Sequence, residues 1–127
     1  TVIGELPLCT LLLMNDANYP WFVLVPRRDG KREWYDLAAD EQQQLLCETN
    51  SLAEYLQQNT GAKKMNIGAL GNMVPQLHVH VIARFEGDAA WPAPVWGKVP
   101  PKPYDDGLFA NTVALGHNFV ADFAVST

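Results

Sequence analysis

Positive charge is scarce in this chain: Lys and Arg number 9 against 14 Asp and Glu, for a formal net charge of -5 over 127 residues. A nucleic-acid backbone is gripped by clustered cations that displace counterions, so no nucleic-acid polymer is expected as a partner. A small anion held by a local site is not excluded. No apolar run approaches the roughly 18 residues of a membrane helix, and the N-terminus lacks the charged-then-apolar pattern of a secretory leader, so no membrane association is expected. Cysteine is equally sparse. Cys9 and Cys47 lack motif spacing and read as reduced, at least half-buried residues of a cytoplasmic protein. Histidine occurs only at 78, 80 and 117. A tetrahedral metal site wants more ligands than one His pair and two thiols in apolar settings, so no metal and no cofactor is expected. Thr1 is not an initiator Met, and the expectation is that a short natural N-terminal segment is missing.

What the chain has is apolar content, 48% of its residues, enough to core one domain over 1–127. Within it, 86–127 is expected to form an extended Pro/Trp-rich arm and a C-terminal tail. The chemistry concentrates between Asn66 and Arg84. From Leu77 to Phe85 apolar residues alternate with others, and successive side chains of a strand point to opposite faces. Leu77, Val79, Val81, Ala83 and Phe85 therefore share a core face, while Gln76, His78, His80, Ile82 and Arg84 share a face for chemistry.

Around this stretch, Val2–Leu6, Leu8–Met14, Trp21–Val25 and Lys64–Leu70 read as strands, with turn formers Asn15-Asp16-Ala17-Asn18 between the second and third. Arg27 to Arg32 is a basic turn. Asp40 is expected to cap a helix together with Gln43, and Leu45, Thr49, Leu52 and Leu56 recur at helical spacing up to Gly61. Glu48 and the glutamines fall on its solvent face. Ala89 to Pro103 holds five prolines and two tryptophans, which exclude a helix or a central strand. Gly107 to Thr127 is apolar without clear period, and no element is predicted there.

A bare H-x-H on one strand face fits a metal pair, a hydrogen-bonded surface pair or nothing of consequence, and by itself favours the last. Its company is more telling. Asn66, Gly68, Gly71, Asn72 and Gln76 surround the histidines with neutral donors and accessible backbone N–H groups, a mixture suited to a phosphate. Trp21 and Phe22 read as core, Trp91 and Trp96 as packing the arm across a partner or a base, and His117 as an exposed bystander.

The segment G-N-M-V-P-Q-L-H-V-H-V-I-A-R resembles the signature of the histidine triad (HIT) superfamily of nucleotide hydrolases and transferases. The resemblance extends over Leu8 to Arg84, through L-L-L-M-N-D, P-W-F-V-L-V-P, Y-D-L and N-I-G in the family's order. It implies an α+β fold with an antiparallel sheet of about five strands and one main covering helix, paired into a homodimer. It also implies that His78 is the nucleophile that takes up a nucleotidyl group from substrates such as dinucleoside polyphosphates or phosphoramidates. His80 would contact the phosphate or leaving group, Asn15 the ribose, and Asn66 and Asn72 the phosphates. In three places the chain departs from the pattern. Gln76 replaces the first histidine, as in a bacterial branch with Q-x-H-x-H, Met73 replaces a Ser or Thr, and Phe22 falls where several relatives have another histidine. An amide orients a neighbour but carries no proton. The alternative implied is a nucleotide-binding module with little turnover, and a structural metal-binding domain is a third reading.

Overall fold

The computed structural model describes residues 1–126. Five strands, β1 (Val2–Glu5), β2 (Cys9–Leu13), β3 (Trp21–Pro26), β4 (Lys64–Gly68) and β5 (Val79–Arg84), form one antiparallel sheet in the order β1-β2-β3-β5-β4. Helices α1 (Ala39–Thr60) and α2 (Asp106–Ser126) complete the α+β architecture. No helix among the described residues is long and apolar enough to cross a membrane.

Strand alternation sorts the side chains into two layers. Leu11 pairs with Leu24 and Leu24 with Val79, while Leu13 pairs with Phe22 and Phe22 with Val81. These six point to the helix side and form one core with Leu45, Leu52 and Leu56 of α1. Each of those three leucines is fully buried and contributes roughly 2 kcal/mol through removal of apolar surface from water. The α1 boundaries follow local chemistry. Glu41, and not Asp40, serves the N-terminus, its carboxylate accepting from the Ala38 amide at 2.9 Å, and Gly61 ends the helix with φ 73°. Glu48 is also not on the solvent face. It is wholly buried, because its carboxylate accepts from the backbone amides of Leu8 and Cys9 at 2.8 and 2.9 Å where β2 begins.

Gly107 to Ser126 is helical, and Thr127 lies outside the described residues. Thr112, Gly116, Phe119 and Phe123 are the buried stripe of α2, and Tyr55 of α1 donates its hydroxyl to the Leu115 carbonyl at 2.8 Å. A Cβ at Gly116 would lie 2.9 Å from both Ile3 and Phe22, so the missing side chain is what lets α2 approach the sheet. Phe22 itself is fully buried in that core.

The opposite face of the sheet is half covered by the chain's own Pro/Trp arm. Ala90 and Val95 bury against Tyr19, Trp21, Val23 and Ile82, with Trp96 packed alongside. The expected chemistry face of β5 is accordingly not open throughout: Ile82 and Arg84 lie under the arm and only the His78–His80 end is free. Arg84, 1% exposed, donates to Asp88, to the Asn66 side chain and to the Ala93 carbonyl. Trp91 and Trp96 of the arm thus pack against residues of their own chain, Trp91 over Arg84 and Trp96 beside the Tyr19–Trp21 cluster.

Candidate active site

Two imidazoles stand side by side where the arm stops. His78 precedes β5 and is half-buried, His80 is 5% exposed, and their ring centroids are 5.0 Å apart at 73°. The hydrogen bonds fix different proton positions on the two rings. A carbonyl oxygen only accepts, so His78 Nδ1, 2.7 Å from the Gln76 carbonyl, must carry the proton, and Nε2 of the neutral ring holds the lone pair. His80 Nδ1 lies 2.9 Å from Nε1 of Trp21. Indole N–H only donates, so His80 Nδ1 is the acceptor and its proton sits on Nε2. Burial, with the neighbouring His78 adding to it, lowers the His80 pKa to about 4, so this ring is neutral near pH 7.

Clefts open on both sides of the pair. One, of about 280 Å³, is lined by Leu12, Met14, Val23, Val25, Val74 and Gln76 together with both histidines. The other, of about 350 Å³, is lined by Met14, the loop residues Leu70, Gly71, Asn72, Met73 and Val74, both histidines and Trp96. Trp96 reaches this wall because β4 has Gly68 opposite His80. A Cβ there would lie 3.2 Å from the indole. No Lys or Arg lines either cleft. Arg32 lines only a cavity of about 90 Å³ on a further side of His78.

The residues singled out from sequence divide on this geometry. His78, His80, Gln76 and Asn72 line the clefts. Gln76 turns its amide away from the imidazoles, donating to the Arg28 carbonyl at 3.2 Å and more weakly to that of Pro26 at 3.4 Å. Asn66 is not at the clefts, because its side-chain oxygen accepts from the buried Arg84. Asn15 is exposed and lines neither cleft, although its neighbour Met14 lines both. Met73 is 95% exposed. Phe22 faces the helices and lines neither cleft.

A model of the HIT domain matches residues 1–87. The chain belongs to the HIT family. Its solved relatives include a histidine triad protein from Marinobacter aquaeolei VT8, at 49% identity over 97% of this chain and 90% of that one, with a TM-score of 0.93. A histidine triad protein from Bradyrhizobium japonicum is 47% identical over 94% of this chain and 90% of its own, with a TM-score of 0.92. A HIT protein from Sinorhizobium meliloti 1021 is 48% identical, covering 92% and 87%, with a TM-score of 0.88. No curated protein matches.

Sequence reasoning read Trp21 as core and missed its contact with the site. Two signals bear on it. Trp21 shares its strand face with Val23, which pairs with His80, and a buried indole N–H needs an acceptor.

Proposed function

We propose that this HIT protein cleaves a nucleoside phosphoramidate or phosphoanhydride in two steps through a nucleotidyl group on His78. The observation that carries the reading is the 2.7 Å bond from His78 Nδ1 to the Gln76 carbonyl, which leaves the Nε2 lone pair for the cleft. In the first step Nε2 attacks the α-phosphorus, a P–N bond forms to His78, and the leaving group departs with the electron pair of the broken bond, an amine also taking a proton from solvent. The ring becomes cationic on bonding to phosphorus, and the Nδ1–H bond to a carbonyl stabilises that charge. His80, neutral with its proton on Nε2, donates to a phosphoryl or leaving-group oxygen or nitrogen. In the second step water attacks phosphorus and gives up a proton to solvent, the P–N bond to His78 breaks, and Nε2 recovers its lone pair.

Gln76 serves this scheme by position: its backbone holds His78 while its amide ties the loop after β3. Asn72 at the second cleft is the amide retained for the phosphate, and Asn15, next to Met14 in the chain, is retained for the ribose. Both clefts are apolar and lack cations, which supports one phosphoryl group between a nucleoside and an organic leaving group over a long polyphosphate. Pairing into a homodimer and a cytoplasmic location belong to the same proposal, and light scattering at twice the chain mass tests the first. Turnover of an adenosine or guanosine phosphoramidate to the free nucleoside monophosphate tests the reaction. Tight nucleotide binding with no product would favour the binding-module reading instead.

A further inference from the structure

Trp21 is 5% exposed, yet it lies on the arm side of the sheet, apart from the helix-side core. Its indole meets His80 edge-on, ring centroids 5.6 Å apart at 61°. Trp96 packs edge-on against the same imidazole at 5.4 Å and 78°. Only Trp21 offers His80 a hydrogen bond, 2.9 Å from Nε1 to Nδ1.

We infer that Trp21 is a positioning residue for the reaction proposed above: its N–H holds His80 as the Nε2–H tautomer, keeping a donor beside the His78 lone pair. The inference rests on that reaction for its consequence, though not for the tautomer itself. A neutral imidazole has one N–H. Were His80 protonated on Nδ1, that hydrogen would meet the indole hydrogen, two donors would be buried against each other, and both would lose their acceptor. The Nε2 lone pair would then face the phosphoryl oxygens and repel them where negative charge grows. With the indole in place, the only arrangement that satisfies both buried groups puts the His80 proton toward the substrate. The two rings in the cleft thereby take complementary parts, a lone pair on His78 and a donor on His80, set by the Gln76 carbonyl and the Trp21 N–H respectively.

Removal of a donor to the developing oxyanion lowers kcat by about 100- to 1,000-fold. Freeing a tautomer removes that donor for a fraction of molecules and loosens the ring in the rest, so the expected fall in kcat for Trp21→Phe is about 10- to 100-fold, with KM within about threefold of the parent. The test combines kinetics on a nucleoside phosphoramidate with long-range proton–nitrogen NMR of the imidazoles in the free protein. A second variant carries benzothienylalanine at position 21, which keeps the bicyclic shape and replaces only the N–H with sulfur, in case the Phe variant folds poorly. The parent is expected to show His80 protonated on Nε2 alone. Both variants are expected to populate the Nδ1–H form and to lose kcat. A parent protonated on Nδ1, variants that keep a single Nε2–H tautomer, or a tautomer change with kcat unaltered would each overturn the inference. A tautomer change in a protein whose parent turns over no nucleotide would uphold the indole's hold on His80 and count against the proposed reaction.

Discussion

Arg84 and Asp88 form a buried ion pair, Nε to Oδ2 at 2.9 Å and Nη2 to Oδ1 at 3.0 Å, with both side chains at most 5% exposed. The pair binds β5 to the arm that walls the active site, since Asp88 also accepts from the amides of Phe85, Ala90 and Trp91. Burial would raise the Asp88 carboxyl, but the bonds from Arg84 and from the amides outweigh it and hold its pKa below the ordinary value. Its stabilising contribution is therefore present above the ordinary carboxyl pKa of 3.8 and is lost as pH falls through the lower folded value. Asp88→Asn leaves the guanidinium uncompensated and is expected to cost about 3–5 kcal/mol in urea unfolding. Unchanged stability would mean the arm is held by its apolar contacts alone.

Gly116→Ala decides between two opposed effects. Alanine favours a helix interior over glycine by about 1 kcal/mol, but its Cβ would meet Ile3 and Phe22 at 2.9 Å in a closed core. Overpacking costs about 1–3 kcal/mol, and both neighbours are buried, so the substitution is expected to lower the melting temperature. A rise would show that α2 has slack against the sheet.

The depressed pKa of His80 predicts a slope in stability with pH. The unfolded chain takes up a proton near 6.5 and the folded chain near 4, so stability due to this ring is whole above 6.5 and falls as pH drops toward 4. The loss from this group is about 3 kcal/mol at most. His80→Asn is expected to flatten the decline in unfolding free energy between those limits. An equally steep decline would place the proton uptake elsewhere.

Much of this arrangement was legible in the alternation of apolar residues. Period two from Leu77 to Phe85 placed His78 and His80 on one face, and helical spacing from Leu45 to Leu56 supplied the layer beneath. Other features depend on what a residue meets across the fold. Glu48 reads as a solvent residue, but it is buried because β2 begins with two amides that need an acceptor. The stripe of α2 was hidden because Thr112 and Gly116 hold positions where an apolar side chain would be counted. Asn66 looked like a phosphate ligand until Arg84, two residues beyond its ladder partner Ile82, claimed its oxygen. The hydrophobic area of Trp21 places it in the core, while its N–H carries the relation to the site.

The apolar, cation-free clefts predict the leaving group. An adenosine phosphoramidate of an aromatic amine should show a kcat/KM at least about tenfold above that of a dinucleoside polyphosphate, because nothing lining the clefts offsets a chain of phosphates. Trp96→Ala, which removes one wall of the larger cleft, should narrow that ratio by raising KM for the aromatic substrate. A preference for the polyphosphate would direct attention to Arg32 and the small cavity on the further side of His78.

The covalent step is most directly tested by rapid quench of the protein with an adenosine phosphoramidate, followed by intact-mass and peptide mass spectrometry. The account predicts one added nucleotidyl group, mapped to His78, acid-labile as a phosphoramidate of imidazole, and absent in His78→Ala, which should stay folded because the ring stands apart from the helix-side core. Turnover without any adduct in the parent, or an adduct that persists in His78→Ala, would contradict it.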